Sequence, residues 1–310
     1  MSVLVAGATG LAGSAIAAAF EARGEVVVKV NRTVVDLMDL GATKDFLNLY
    51  KPSLVVDAAA RVGGIGANNA FPVEFLNENI RIQSNLMQAA HESGVENLVF
   101  LGSSCIYPRD CPQPIKEEYL LTGPLESTNS AYAVAKIAGI ELVNSYRKEY
   151  DRNWISLMPT NLYGNRDNFN LQTSHVLPAL IRRFVEATEN KAPTVTLWGT
   201  GEPLREFLHA DDLAQAVVQI SGNYDFPMHL NVGTGEDVSI REVASLVASL
   251  SGFIGDIVWD SNQPDGTPRK VLDVSKIKAL GWKPKITLEE GIASTIAWYK
   301  SASANGEVRK

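Results

Sequence analysis

The chain has 310 residues, 45% of them apolar and 20% charged, enough to bury a sizeable core, which excludes a mainly disordered polypeptide. Its 28 basic and 35 acidic side chains leave a net charge of −7, the wrong sign for a protein living on nucleic acid or an anionic membrane, although one basic pocket would still serve a single anionic ligand. Two cysteines, Cys105 and Cys111, make neither a disulfide framework nor a zinc-ligand spacing, and no apolar run approaches the roughly 18 residues of a membrane helix.

The start of the chain lacks the basic n-region of a signal peptide, so a cytoplasmic globular protein is expected. Residues 2–6 (SVLVA) read as a buried strand, and 11–23 as an alanine-rich helix closed by Gly24. A strand at 26–30, a short helix at 43–50 and a strand at 54–58 follow. Next come a long helix at 75–93 ending at Gly94, a strand at 97–101, a helix at 131–150 and a strand at 154–158. Fully apolar strands alternating with helices predict an α/β fold, a Rossmann-like doubly wound parallel sheet with right-handed crossovers.

After Asn161 this rhythm degrades. Gly, Asn, Asp and Pro crowd residues 163–173 into a loop. Helices are predicted at 176–189, 211–221, 240–250 and 288–299, a short strand at 195–198, and a loop at 262–270. The small polar residues 301–310 are expected to fray. This division predicts a sheet domain over 1–164, with 207–234 returning to it. A smaller α/β domain would comprise 165–206 and 235–310. There is no internal repeat.

The first strand runs into Gly7-Ala8-Thr9-Gly10-Leu11-Ala12-Gly13 and then a helix. Glycines there allow a tight turn, close approach of a pyrophosphate and close helix–strand packing, while the helix N-terminus offers free N–H groups to phosphate. An NAD site would place a carboxylate about 20 residues further on, to bond the ribose 2′-hydroxyl. The second strand instead ends in Asn31-Arg32-Thr33, with no carboxylate before Asp36. Arg32 could clamp a 2′-phosphate, which favours NADP and makes 1–164 an NADP-binding domain.

Tyr132 and Lys136 lie four apart on a predicted helix and share a face. An ammonium beside the phenol is expected to lower its pKa, and the phenol can protonate a carbonyl oxygen as hydride reaches its carbon. The fourth strand ends in Gly102-Ser103-Ser104-Cys105, which puts a hydroxyl at the ligand-binding edge of such a sheet.

In these motifs the sequence resembles the extended short-chain dehydrogenase/reductases that act on nucleotide sugars, and within them the GDP-L-fucose synthases. The resemblance runs through blocks beginning at Val62, Leu101 (LGSSCIYP), Tyr132 (YAVAKIAG), Met158 (MPTNLYG), Ser174 (SHVLPAL), Arg205 (REFLH), Asn231 (NVGTG) and Pro264 (PDGTPRK). It implies a bifunctional 3,5-epimerase and 4-reductase that uses NADPH and a GDP-sugar. Ser103, Tyr132 and Lys136 would form the reductase set, Cys105 would be the base of the inversions and His175 the reprotonating acid. The cofactor would meet Gly7 to Gly13, Arg32, Leu101, Gly102, Ser103, Ser104, Lys136, Pro159, Thr160, Asn161, Leu162 and His175. Arg183, Trp198, Arg205, Asp265 and Lys270 would line the nucleotide pocket, and Gly63, Gly64 and Gly66 would admit the sugar. A homodimer through the Tyr132 helix is also implied, and no metal, nucleic acid or membrane partner. His209 is read as structural, with Asp211 and Asp212 opening the next helix; Cys111 is read as a bystander, and His91 and His229 as surface or packing residues.

Three other readings stay open at this level. A GDP-colitose-type enzyme would use the same cysteine and histidine but invert C5 alone. A UDP-galactose-type 4-epimerase would need neither residue, and would prefer an acid near position 31. A non-catalytic NADP-binding regulator could dispense with the whole catalytic set.

Overall fold

The computed structural model describes residues 1–263 and 265–309; Pro264, first residue of the PDGTPRK block, and Lys310, at the end of the expected second domain, lie outside the described residues. The chain opens β1 (Ser2–Ala6), α1 (Leu11–Ala22), β2 (Val26–Val30), α2 (Leu40–Tyr50) and β3 (Leu54–Asp57). It continues α3 (Ile65–Ala70), α4 (Pro72–Glu92), β4 (Asn97–Leu101), α5 (Ser130–Tyr150), β5 (Asn153–Pro159) and β6 (Asn161–Tyr163). After these come α6 (Val176–Glu189), β7 (Thr194–Trp198), β8 (Leu204–Arg205), β9 (Phe207–His209), α7 (Ala210–Ile220) and β10 (Leu230–Val232). Last are β11 (Val238–Ser239), α8 (Ile240–Ser251), β12 (Asp256–Asp260), β13 (Arg269–Lys270), α9 (Ser275–Ala279) and α10 (Leu288–Ala304).

Six strands pair in parallel in the order β10-β5-β4-β3-β1-β2, with helices on both faces. Val3, Leu4, Val5 and Ala6 of β1 are all buried, as a strand covered on both faces requires. Burying each such valine or leucine contributes about 1.5–3 kcal/mol. Because the strands are parallel, their carboxyl ends share one edge of the sheet, and there the turns after β1, β4 and β5 meet.

A second apolar cluster gathers α6, α8 and α10 around Tyr163, Phe169, Phe184 and Tyr299. Helix α6 shows why: Leu177, Leu180, Ile181, Phe184 and Val185 follow the 3.6-residue period and are buried, leaving Arg182 and Arg183 half-buried at its flank. The two-residue strands β8, β11 and β13 form a small mixed sheet in which Lys270 stands opposite Arg205.

The fraying expected of 301–310 is overturned over the described residues. Helix α10 continues to Ala304, the Arg309 carbonyl accepts the Phe169 N–H at 3.0 Å, and the Arg309 guanidinium donates to the Arg166 carbonyl at 2.7 Å. Small polar composition predicted exposure, but bonding of Arg309 to the 166–169 loop and packing of Ala302 and Val308 supply the order.

Candidate active site

The glycine turn has the shape a pyrophosphate needs. Gly7 has φ +78°, and a Cβ there would lie 2.5 Å from the Ala58 carbonyl oxygen; a Cβ on Gly13 would lie 2.2 Å from that of Gly7. Gly10 caps α1 without any side-chain bond, so the N–H groups of the first turn, from Leu11 to Gly13, are left for a ligand. These positions, with Ala8 and Thr9, form a cradle that side chains would fill, and it fits a dinucleotide.

At the end of β2, Asn31 folds back to accept the Thr33 N–H at 2.9 Å, and this turn presents Arg32 to solvent. The Arg32 guanidinium pairs with Glu78 of α4 at 3.3 Å, at a shallow depression shared with Asp36 and Met38. Glu78 also holds Arg61 at 2.7 Å. Sequence reasoning missed Glu78, since nothing local ties a residue in α4 to the end of β2.

The reductase candidates converge at the ends of β4 and β5. Ser103 follows β4, accepts the Cys105 N–H at 3.2 Å and is hydrogen-bonded to the Tyr132 phenol. Lys136 is buried; its ammonium donates to the Leu101 carbonyl at 2.8 Å, 5.9 Å from the Tyr132 ring centroid. The expected lowering of the phenol's pKa is corrected here. Burial pushes Tyr132 well above the ordinary phenol value, the neighbouring Cys105 adds to this, and the Ser103 bond opposes it. The Lys136 charge sits on a carbonyl oxygen rather than on the phenol. Gly102 donates to the Leu157 carbonyl at 2.9 Å, Ser104 is buried, and Thr160 donates to the Val232 carbonyl at 3.0 Å. Pro159 ends β5, and Asn161 and Leu162 enter β6.

Cys105 lies in a single turn of 3-10 helix just past Ser103, with its sulfur within 3.5 Å of the Asn129 amide nitrogen and 3.7 Å of Lys270 Nζ. The structure thus brings Lys270, expected at the nucleotide, to the thiol. His175 caps α6 with its backbone, its ring making no capping bond. The ring is exposed to the cleft, yet the cleft walls strip enough water from it to hold its pKa below the usual imidazole value, and the Lys270 ammonium lowers it further.

The glycines at 63 and 64 also have a packing role. A Cβ on Gly64 would lie 2.4 Å from the Ser174 carbonyl oxygen, and the Gly64 N–H donates to Thr173 at 2.8 Å. They let this loop press directly on the segment that carries His175.

Of the remaining nucleotide-pocket candidates, Trp198 is exposed at the end of β7 and Arg183 makes no ion pair among the described residues. Arg205 donates to the Leu204 carbonyl at 2.8 Å, and burial lowers its pKa while Asp265 opposes this. Asp265 accepts the Thr200 N–H at 2.7 Å on one oxygen and the Thr200 hydroxyl at 2.8 Å on the other, so it pins the turn beside Trp198. Among the described residues, no group of three His, Cys, Asp or Glu side chains gathers to hold a metal.

Glu206 joins these loops. Fully buried, it accepts the Gly235 N–H at 2.7 Å and the Leu272 N–H at 2.9 Å, and its carbonyl accepts from Asn161 at 2.8 Å. Its neighbour Arg205 drew attention in the sequence, whereas no local signal singles out Glu206. His209 accepts the Asp211 N–H and so caps α7. His229 is buried against the Tyr107 hydroxyl at 3.0 Å, and burial lowers its pKa to about 4.

The profile of the NAD dependent epimerase/dehydratase family matches residues 3–233. The chain belongs to this family. Within it the chain groups with GDP-L-fucose synthases: it is 50% identical over 299 residues to GDP-L-fucose synthase 1 of Arabidopsis thaliana, covering 96% of this chain and 92% of the relative. It is 48% identical over 307 residues to the GDP-L-fucose synthase of Escherichia coli K12, with 96% of each chain covered. Among solved structures, a GDP-L-fucose synthetase from Naegleria fowleri bound to NADP superposes with a TM-score of 0.91 at 29% identity, covering all of this chain and 96% of the other. In this chain Ser103 follows β4, Tyr132 and Lys136 lie in α5, and the Cys105 thiol sits two residues past Ser103.

Proposed function

We propose that this protein converts GDP-4-keto-6-deoxy-D-mannose to GDP-L-fucose, inverting C3 and C5 and then reducing C4. The observation that carries this reading is the thiol of Cys105 beside the Ser103–Tyr132 pair, 3.7 Å from an ammonium. A plain reductase has no use for a base there.

The C4 ketone acidifies the hydrogens on C3 and C5. Ser103 and Tyr132 hydrogen-bond the ketone oxygen and stabilise the enolate that forms when a proton leaves. Cys105 removes that proton, and Lys270 faces the thiolate. His175 gives a proton back from the other face; burial and the Lys270 charge favour its neutral form, so once the proton is given the ring has little tendency to take it back. Gly7 to Gly13 would hold the pyrophosphate of NADPH and Arg32 its 2′-phosphate, and the bound cofactor would supply the hydride for C4. Tyr132 then protonates the new alkoxide; a phenol whose pKa is raised is neutral at pH 7 and carries the proton to give. Lys136, with donors beyond the one held by Leu101, orients the cofactor's ribose. Arg183 and Arg205 suit the diphosphate, Trp198 offers a face to the guanosine, and Asp265 holds the turn beneath it.

Residues 1–164 with 207–234 form the NADP-binding domain in this reading, and 165–206 with 235–310 the substrate domain. The protein works in the cytoplasm as a homodimer joined through α5, on which Val134 is an exposed apolar residue. No helix among the described residues is long and apolar enough to cross a membrane.

The test mixes purified protein with GDP-4-keto-6-deoxy-D-mannose and NADPH, following loss of the reduced-nicotinamide absorbance and identifying the sugar by NMR. GDP-L-fucose is the expected product. A product with C3 uninverted would replace this reading with a colitose-type or simple reductase, and NADPH binding without oxidation would point to a regulator.

A further inference from the structure

Asp57 ends β3, and no step above uses it. It is fully buried. One carboxylate oxygen accepts the Ala59 N–H at 3.2 Å, and the other is buried with no hydrogen-bond partner among the described residues. Glu206 is the comparison: equally buried, it has both oxygens bonded to backbone N–H groups. A carboxylate that is buried and half-bonded costs several kcal/mol unless a charge offsets it.

The sheet register points to that charge. Asp57 stands opposite Phe100 in the β3–β4 pairing, so both side chains leave the same face. On that face the Lys136 ammonium lies 4.7 Å from the Phe100 ring centroid. Lys136 is itself buried, and its recorded hydrogen bond goes to Leu101, so the two charges meet through space rather than as a contact pair.

We propose that Asp57 is a positioning residue, a buried counter-charge that keeps Lys136 protonated and in place beside Tyr132. This rests on the reading of Lys136 as part of the reductase site. Burial pulls Lys136 down to about 8, and Asp57 opposes that shift. Burial likewise lifts Asp57 to about 6, opposed by Lys136 and by the Ala59 bond. The other titratable groups at this place are Tyr132, on the lysine's own helix, and Cys105, from the turn after β4. Helix α4, packed against α5, presents the neutral Gln83, whose amide donates to the Ala135 carbonyl at 2.6 Å.

The experiment is a pH titration of Lys136 by NMR in protein carrying 13C at the lysine ε-carbon, the resonance being assigned by its loss in Lys136→Arg. Asp57→Asn keeps the shape and the bond to Ala59 but removes the charge. The Lys136 midpoint is expected to fall by roughly 1 unit, leaving about a tenth of the ammonium charged at pH 8 where the parent keeps about half. The alkaline limb of kcat for NADPH oxidation should move down with it, which a merely structural role would not cause. A Lys136 midpoint unchanged in Asp57→Asn overturns the proposal. Should that variant fail to fold, the reciprocal measurement decides: Lys136→Met must raise the midpoint of the Asp57 carboxyl above about 6, and no movement refutes the pairing. A shifted midpoint in a protein that oxidises no NADPH would uphold the counter-charge while removing the reductase reading.

Discussion

Ser103, Tyr132 and Lys136 stand at the end of β4 and within the 21-residue helix α5, whereas Cys105, His175 and Lys270 reach the same cleft from a single 3-10 turn, from the loop before α6 and from the two-residue strand β13. Tyr132 and Lys136 are held by the repeating backbone bonds of a helix, and Ser103 lies two residues past β4, at the start of the turn that carries Cys105. The other three depend on individual contacts: Gly64 on Thr173, Glu206 on Gly235 and Leu272, Arg309 on Phe169. In the proposed function the reducing groups therefore lie on or just past regular elements, and the inverting groups on short turns and loops. The contrast teaches that the two chemistries should be separable, and that distant changes should touch inversion first.

The largest effect is expected from Tyr132→Phe, which removes the proton donor on the regular half. NADPH oxidation should fall roughly 10²–10⁴-fold, while exchange of solvent deuterium into C3 and C5 falls much less. Equal losses in both assays would break the comparison. Cys105→Ser and His175→Gln are the mirror case. Deuterium exchange should drop about 10²–10³-fold with NADPH binding intact by fluorescence titration, and normal turnover in either variant would sink the assignment.

Asp167 sharpens the contrast in stability. It lies in the loop before His175, nearly fully buried, and burial raises its carboxyl to about 7 against the opposing bond from Asn168 and the Arg309 charge. The folded state therefore keeps a proton that the unfolded chain releases near pH 4, so stability falls as pH rises through that window and the loss is complete above about 7. Asp167→Asn should be more stable than the parent at pH 8 by up to about 4 kcal/mol, with the two converging toward pH 4, as read by urea unfolding. A variant no more stable at pH 8 would show that this loop does not carry the penalty. The smallest effect belongs to the exposed Arg32: Arg32→Ala should narrow the preference for NADPH over NADH roughly 10-fold, in the ratio of kcat/KM values.

Most of the sheet was legible because its signals are local. Apolar runs of four or five residues, glycines at the β1 turn and the i, i+3, i+4 spacing in α6 each point to one structure. Short strands such as β8, β11 and β13 carry no such period, and their pairing is set by partners dozens of residues away. Site residues divide along the same line. Ser103, Tyr132 and Lys136 are nominated by position, spacing and resemblance, and Cys105 by resemblance. Glu78, Asn129 and Glu206 are polar residues whose importance comes from what they meet across the fold. Asp57 did leave a trace, an acid closing the otherwise apolar run LVVD, but its meaning depends on Lys136, 79 positions later.

The sequence by itself determined the parallel sheet and the dinucleotide turn and nominated the groups proposed to react, because periodicity, glycine geometry and side-chain chemistry are properties of short segments. Tertiary structure alone decided that Lys270 faces the Cys105 thiol, that the Tyr132 phenol is raised rather than lowered, and that Asp57 shares a face with Lys136. Charge interactions and desolvation depend on distance and on excluded water, and neither is written into residue order.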